Sequence, residues 1–129
     1  MRLQSRNPYP DRLPRSFQDQ PLLTLEQAGN LAHLFKVFAN PTRLRLLHAL
    51  VRAGKLCVTE LAGAVAMKPQ AVSNQLQRLV DRGILAAQRD GNNVFYRVVD
   101  PCVQILLERG LCLVECHPVP GAAVEEEGD

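Results

Sequence analysis

The apolar period of this chain changes at Gly83. Between Pro69 and Arg82, the residues Val72, Leu76, Leu79 and Val80 share one stripe of a helix. Beyond Gly83, two short strand-like runs appear, Leu85–Arg89 and Val94–Val98. In the second, Val94, Tyr96 and Val98 alternate with Phe95 and Arg97, the signature of a half-buried strand. The segment between them, Asp90-Gly91-Asn92-Asn93, is rich in residues that tolerate tight turns, so the two runs close as a β-hairpin. A capped amphipathic helix running directly into a hairpin is a narrow constraint on the fold.

The flanking segments complete it. Thr24 and Gln27 have capping-box spacing, and Leu31, Leu34, Phe35 and Phe38 follow at i, i+3, i+4 and i+7. Asn40-Pro41 offers a cap and a first-turn proline for a second helix carrying Leu44, Leu47, Leu50 and Val51, which stops at Gly54. A short third helix begins near Thr59 and includes Leu61 and Val65. The tight segment Ala66-Met67-Lys68 joins it to the helix opened by Pro69, and Gly83 stands where a C′ glycine belongs. Two short helices so joined make a helix-turn-helix. Asp100-Pro101 then caps a last helix bearing Val103, Leu106, Leu107, Leu111 and Val114. The expected fold is α+β and mostly α: a winged helix-turn-helix with a two-stranded β-hairpin wing.

A domain lies over roughly 22–117, preceded by a flexible arm at 1–21 and followed by a disordered acidic tail at 118–129. The chain's 129 residues are enough to bury a core without disulfides. Apolar residues make up 47% and aromatics 5%, a Leu-, Val- and Ala-rich balance that suits helix packing. No apolar run reaches the roughly 20 residues of a membrane span, and none follows Arg2 and Arg6 as a secretory signal would require. A soluble, cytoplasmic protein with no membrane partner is expected. Enzyme chemistry finds no support: there is no Gly-rich phosphate loop, zinc-protease helix, paired-carboxylate motif or CxxC.

The formal charge of +2 hides an asymmetry. Glu125, Glu126, Glu127 and Asp129 account for four of the 13 acids; without them 15 basic side chains face 9 acidic ones, a net of +6. A basic body suits a polyanion. Opposite its buried stripe, the helix from Pro69 presents Gln70, Ser73, Asn74, Gln77 and Arg78, with Gln75 at the margin. Amides can pair with adenine, arginine with guanine and serine with phosphate or base, and no acid interrupts this face before Asp81. On the hairpin, Arg89, Asn92, Asn93, Tyr96 and Arg97 can donate to phosphates or reach a minor groove. Either part alone reads equally well as a solvated surface; the two in this order point to double-stranded DNA. DNA binding needs no cofactor.

Several segments resemble the ArsR/SmtB family of dimeric winged-helix repressors. Phe35-Lys36-Val37-Phe38-Ala39-Asn40-Pro41-Thr42-Arg43-Leu44-Arg45-Leu46-Leu47 is similar to the family's K-A-L-A-D-P-T-R-L-R-I-L segment, and Lys55 to Leu61 to its E-L-C-V-C-D-L segment. Val72 to Leu76, Gly83 to Leu85 and Arg89 to Tyr96 resemble its recognition helix and wing. The resemblance implies a homodimer built largely from the first and last helices, bound to an operator until an inducer arrives. Two departures stand out. Gln75 occupies a position where the family often has His, and Thr59 replaces the second cysteine of C-V-C, leaving Cys57 alone.

The four cysteines are Cys57, Cys102, Cys112 and Cys116. Cys112 and Cys116 stand at i and i+4, on one helix face and about 6 Å apart along the axis, with His117 adjacent. Cys102 is 14 residues from Cys116, about 21 Å of straight helix, so the two cannot share one ion within it, and a site combining Cys102 with other ligands needs Cys57, the N-terminal arm or a second protomer. Thiolates select soft inducers: Zn, Cd, Pb, Hg, Cu(I) or trivalent arsenic. The same thiols can instead sense oxidants or persulfides. They can also be inert apolar residues of a packed helix, in a constitutive DNA- or partner-binding module. His33 and His48 read as packing or surface residues.

Overall fold

A computed structural model describes residues 17–116. Residues 1–16 of the expected arm, the expected acidic tail and His117 lie outside the described residues. The chain divides after Val37 into two compact units. The first ends in most of helix α1, Leu25–Phe38. Its start is fixed by a reciprocal capping box: the Thr24 N–H donates to Gln27 Oε1 and the Gln27 N–H to Thr24 Oγ1, each at 3.0 Å.

The second unit carries, in order, α2 (Pro41–Ala53), β1 (Leu56–Cys57), α3 (Val58–Val65), α4 (Pro69–Asp81), β2 (Leu85–Asp90), β3 (Asn93–Val98) and α5 (Pro101–Cys116). Asn40 is the N-cap of α2, its Oδ1 accepting from the Arg43 N–H at 3.0 Å. Gly54 ends that helix at φ +91, a conformation that costs a side-chain-bearing residue strain. At the end of α4 the Gly83 N–H donates to the Val80 carbonyl and the Ile84 N–H to the Leu79 carbonyl, the paired bonds of a Schellman stop. Helix α3 stops less comfortably, on Ala66 at φ 56 and ψ 49, a non-glycine residue in the left-handed region.

The core sits where α2, α3 and α4 meet the sheet, and α5 adds to it from its first turns. Leu46, Leu47, Leu50, Leu61, Val72, Leu76 and Leu79 are fully buried. Leu44, expected on the inner face of α2, is exposed, and Leu46 fills that role; Leu46, Leu47 and Leu50 define a stripe rotated from the expected one.

The hairpin pairs β2 with β3, from Leu85 opposite Val98 to Asp90 opposite Asn93. Each strand runs one residue further toward the tip than its apolar alternation indicates, leaving the two-residue loop Gly91-Asn92. Gly91 has φ +68 and Asn92 a negative φ, the sign pattern of a type II′ loop. The wing also gains a third strand. Leu56 pairs with Tyr96 and Cys57 with Phe95, giving an antiparallel sheet in the order β1-β3-β2. Lys55 Nζ lies 5.2 Å from the centre of the Phe95 ring and adds a cation–π contact at this edge. Among the described residues no helix is long and apolar enough to cross a membrane.

Candidate nucleic-acid interface and cysteine pair

Helix α4 buries Val72, Leu76 and Leu79 and turns a polar face outward. Gln70, Asn74, Gln77 and Arg78 are exposed there, and Ser73 and Gln75 are half-buried at its margins. Three hydrogen bonds already hold its amides. Gln70 Nε2 donates to Asn74 Oδ1 at 3.2 Å, and Gln77 Nε2 to Asp81 Oδ1 at 3.0 Å. Both are i, i+4 pairs on the helix surface, which exchange readily with water or a ligand. The third is different: Arg43 Nε of α2 donates to Gln75 Oε1 at 2.8 Å across 32 residues of sequence, in a partly buried setting. Arg43 was not among the expected site residues. The Asn40 cap three residues earlier is readable, but nothing local indicates that the Arg43 guanidinium reaches α4.

On the hairpin Arg89, Asn92, Asn93 and Arg97 are exposed. Tyr96 is not. It is 8% exposed and joins the core, because strict alternation along β3 turns it to the same side as Val94 and Val98, away from Arg97. Its ring therefore belongs to packing, not to the outer surface of the wing.

The cysteines occupy three separate places. Cys57 lies at the β1–α3 junction, where its N–H donates to Glu60 Oε1 at 3.0 Å and its Sγ lies 3.4 Å from Thr59 Oγ1. Cys102 sits in the first turn of α5. Its N–H donates to Asp100 Oδ1 at 2.8 Å, and this bond, reinforced by one from the thiol, holds the Asp100 carboxyl below the usual aspartate range. Cys112 and Cys116 are exposed on the last turns of α5 with their Sγ atoms 3.9 Å apart. Two thiolates about 2.3 Å from one tetrahedral ion stand about 3.8 Å apart, so this spacing fits shared ligation of a soft ion. Among the described residues no three metal-ligating side chains cluster. Within those residues one protomer offers a pair of ligands and not a closed site.

A helix-turn-helix whose second helix shows an acid-free polar face as far as Asp81, followed by a wing with exposed arginines, defines the class of winged-helix DNA-binding regulators. Residues 40–87 match the family model described as bacterial regulatory protein, arsR family. The chain is 42% identical over 84 residues to a transcriptional repressor SmtB homolog of Synechocystis sp., a match spanning 64% of this chain and 63% of the relative. The crystal structure of the AntR antimony-specific transcriptional repressor superposes with a TM-score of 0.71 at 67% identity, covering 80% of this chain and 93% of that one. A homodimeric winged helix-turn-helix DNA-binding domain from Mycobacterium bovis superposes with a TM-score of 0.64 at 25% identity, covering 82% of this chain and all of that fragment. The chain belongs to the ArsR family. Its members are DNA-binding transcriptional regulators and not enzymes.

Proposed function

We propose that the protein is a homodimeric repressor that holds its operator through α4 and the wing and leaves it when trivalent antimony, or a chemically similar soft ion, binds thiols of α5. The observation that carries this reading is the exposed Cys112–Cys116 pair, 3.9 Å between sulfurs, in a chain 67% identical to an antimony-specific repressor. Trivalent antimony and arsenic share the thiolate preference of the other soft ions.

The dimer is supported by the outer faces of the terminal helices. Ile105, Leu111, Leu113 and Val114 of α5 are exposed, as are Leu31 and Phe35 of α1. A second copy would cover such apolar surface, and the Mycobacterium bovis neighbour is homodimeric. A second copy also offers a third donor for the paired thiols, such as its own Cys102. Binding there acts on the dimer's closure and so on the spacing of the two α4 helices, which must match successive major grooves about 34 Å apart. Moving operator-bound protein from 99% to 1% in this way takes about 5.5 kcal/mol of differential affinity.

The test titrates the reduced, operator-bound protein with trivalent antimony, arsenite, Zn, Cd, Pb, Hg and Cu(I). Release by antimony at the lowest concentration is expected. Release by peroxide or polysulfide alone, with every ion silent, would replace the ion-sensing reading with a thiol-oxidation one.

A further inference from the structure

We propose that Arg43 sets the base preference of α4 by locking the Gln75 amide with its nitrogen outward, so that Gln75 reads a hydrogen-bond acceptor, guanine or thymine, and not adenine. This rests on the reading that α4 enters the major groove.

The orientation of the amide follows from chemistry. Arginine has five N–H donors and no acceptor, so the Gln75 atom 2.8 Å from Arg43 Nε must be the carbonyl oxygen. Charge-assisted bonds of this length are among the stronger ones available to a side chain, and the pair is partly buried, which shields it from water. Arg43 is itself well anchored. It lies in the first turn of α2, where its own N–H is taken by the Asn40 cap, so helix position and side-chain reach are set together. No buried side-chain nitrogen or oxygen among the described residues lacks a partner, so the Gln75 Nε2, for which none is seen, faces solvent. What Gln75 offers a groove is therefore an NH2 group alone.

An unrestrained glutamine recognises adenine by donating to N7 while accepting from the N6 amino group. That needs both ends of the amide. With Oε1 drawn toward Arg43 of α2, one of its two lone pairs is taken and the amide is turned so that its nitrogen leads outward, so an adenine N6 at this position would lose its partner. Guanine presents N7 and O6, and thymine O4, all acceptors; adenine shares N7 but has the donor N6 where guanine and thymine have oxygen, so an NH2 group directed at that edge favours guanine or thymine. The amides of Gln70 and Gln77 are held only by exposed neighbours on their own helix, so the restriction is particular to Gln75.

The test is selection of operator half-sites from a randomised DNA pool by the full chain, read by sequencing, with thermal melting run beside it. Gln75→Ala should flatten preference at one position per half-site and so locate the contact. There the parent should favour guanine or thymine over adenine by roughly tenfold, the discrimination a good base contact supplies. Arg43→Ala should let adenine rise at that position alone, and Arg43→Lys, which keeps a donor, should restore the parental choice. Gln75→Glu keeps the Arg43 partner but turns an oxygen outward, so preference should move to cytosine or adenine, whose amino groups donate. Should Arg43→Ala melt too low to use, Gln75→Glu decides alone. Parental selection of adenine there, or an unchanged preference in Arg43→Ala or in Gln75→Glu, would overturn the proposal. If Gln75→Ala flattens nothing while Asn74→Ala and Arg78→Ala each do, the Arg43 proposal is wrong and α4 still reads DNA. If none of the three changes selection, the groove reading itself has failed and takes the proposal with it.

Discussion

Helices α4 and α5 are of similar length and differ in how much of their apolar surface the protomer uses. Helix α4 has Val72, Leu76 and Leu79 fully buried and Val80 half-buried, and apart from Pro69 in its first turn its exposed residues are polar. Helix α5 buries Val103 alone and exposes Ile105, Leu111, Leu113 and Val114 beside two thiols. The half proposed to read DNA is thus a finished structure within one chain. The half proposed to sense is not: it has apolar surface without cover and two soft ligands without a third among the described residues. A switch needs an element whose state is decided from outside, and α5 is the element left undecided.

The largest expected effects fall on this contrast. Leu76→Ala removes a fully buried side chain from the centre of the core and should cost about 2–5 kcal/mol in denaturant unfolding, at any protein concentration. Leu113→Ala, at 62% exposure in the protomer, should leave that concentration-independent part nearly unchanged and instead weaken dimerisation in sedimentation or dilution measurements. If Leu113→Ala unfolds the protein as severely as Leu76→Ala at every concentration, the two helices do not differ as described.

Next come the proposed operator contacts. Arg78→Ala or Arg89→Ala should weaken operator binding by about 1–3 kcal/mol where a base is lost, and lower the salt slope by about 1 where a phosphate is lost. Both variants should melt like the parent, since both side chains are exposed. Asn40→Ala removes a buried cap from α2 and should cost about 1–2 kcal/mol. Because that cap also seats Arg43, the variant should blur selection at the Gln75 position as well. The smallest effect is a gain. Ala66→Gly relieves the left-handed backbone at the α3–α4 turn and should raise stability by about 0.5–1 kcal/mol.

Much of the helix-turn-helix and wing was legible because its signals are local. The α4 stripe, the Gly83 stop and the Asp-Gly turn each lie within a few residues, and each appears where its chemistry indicates. Strand β1 was invisible because two residues have no period; Leu56 and Cys57 become a strand only through Tyr96 and Phe95, some 40 residues on. Leu44 and Leu46 are both leucines in an amphipathic helix, and which one faces inward depends on how α2 rolls against α3 and β3. Tyr96 misled for a different reason: its hydroxyl suggested a phosphate contact while the strand alternation already assigned its ring to the core. The Arg43–Gln75 bond joins residues 32 apart and leaves no mark in either segment. In α5 the i, i+4 thiol pair was readable from helix geometry, whereas any further ligand depends on residues beyond one protomer's described chain.

The division of labour between the two helices is tested most directly by operator binding of the double variant Cys112→Ser, Cys116→Ser, measured with and without trivalent antimony. The variant should bind the operator as tightly as the parent in the absence of the ion, and stay bound at antimony concentrations that release the parent. Full release of the variant at parental concentrations, or loss of operator binding before any ion is added, would contradict the assignment of reading to α4 and sensing to α5.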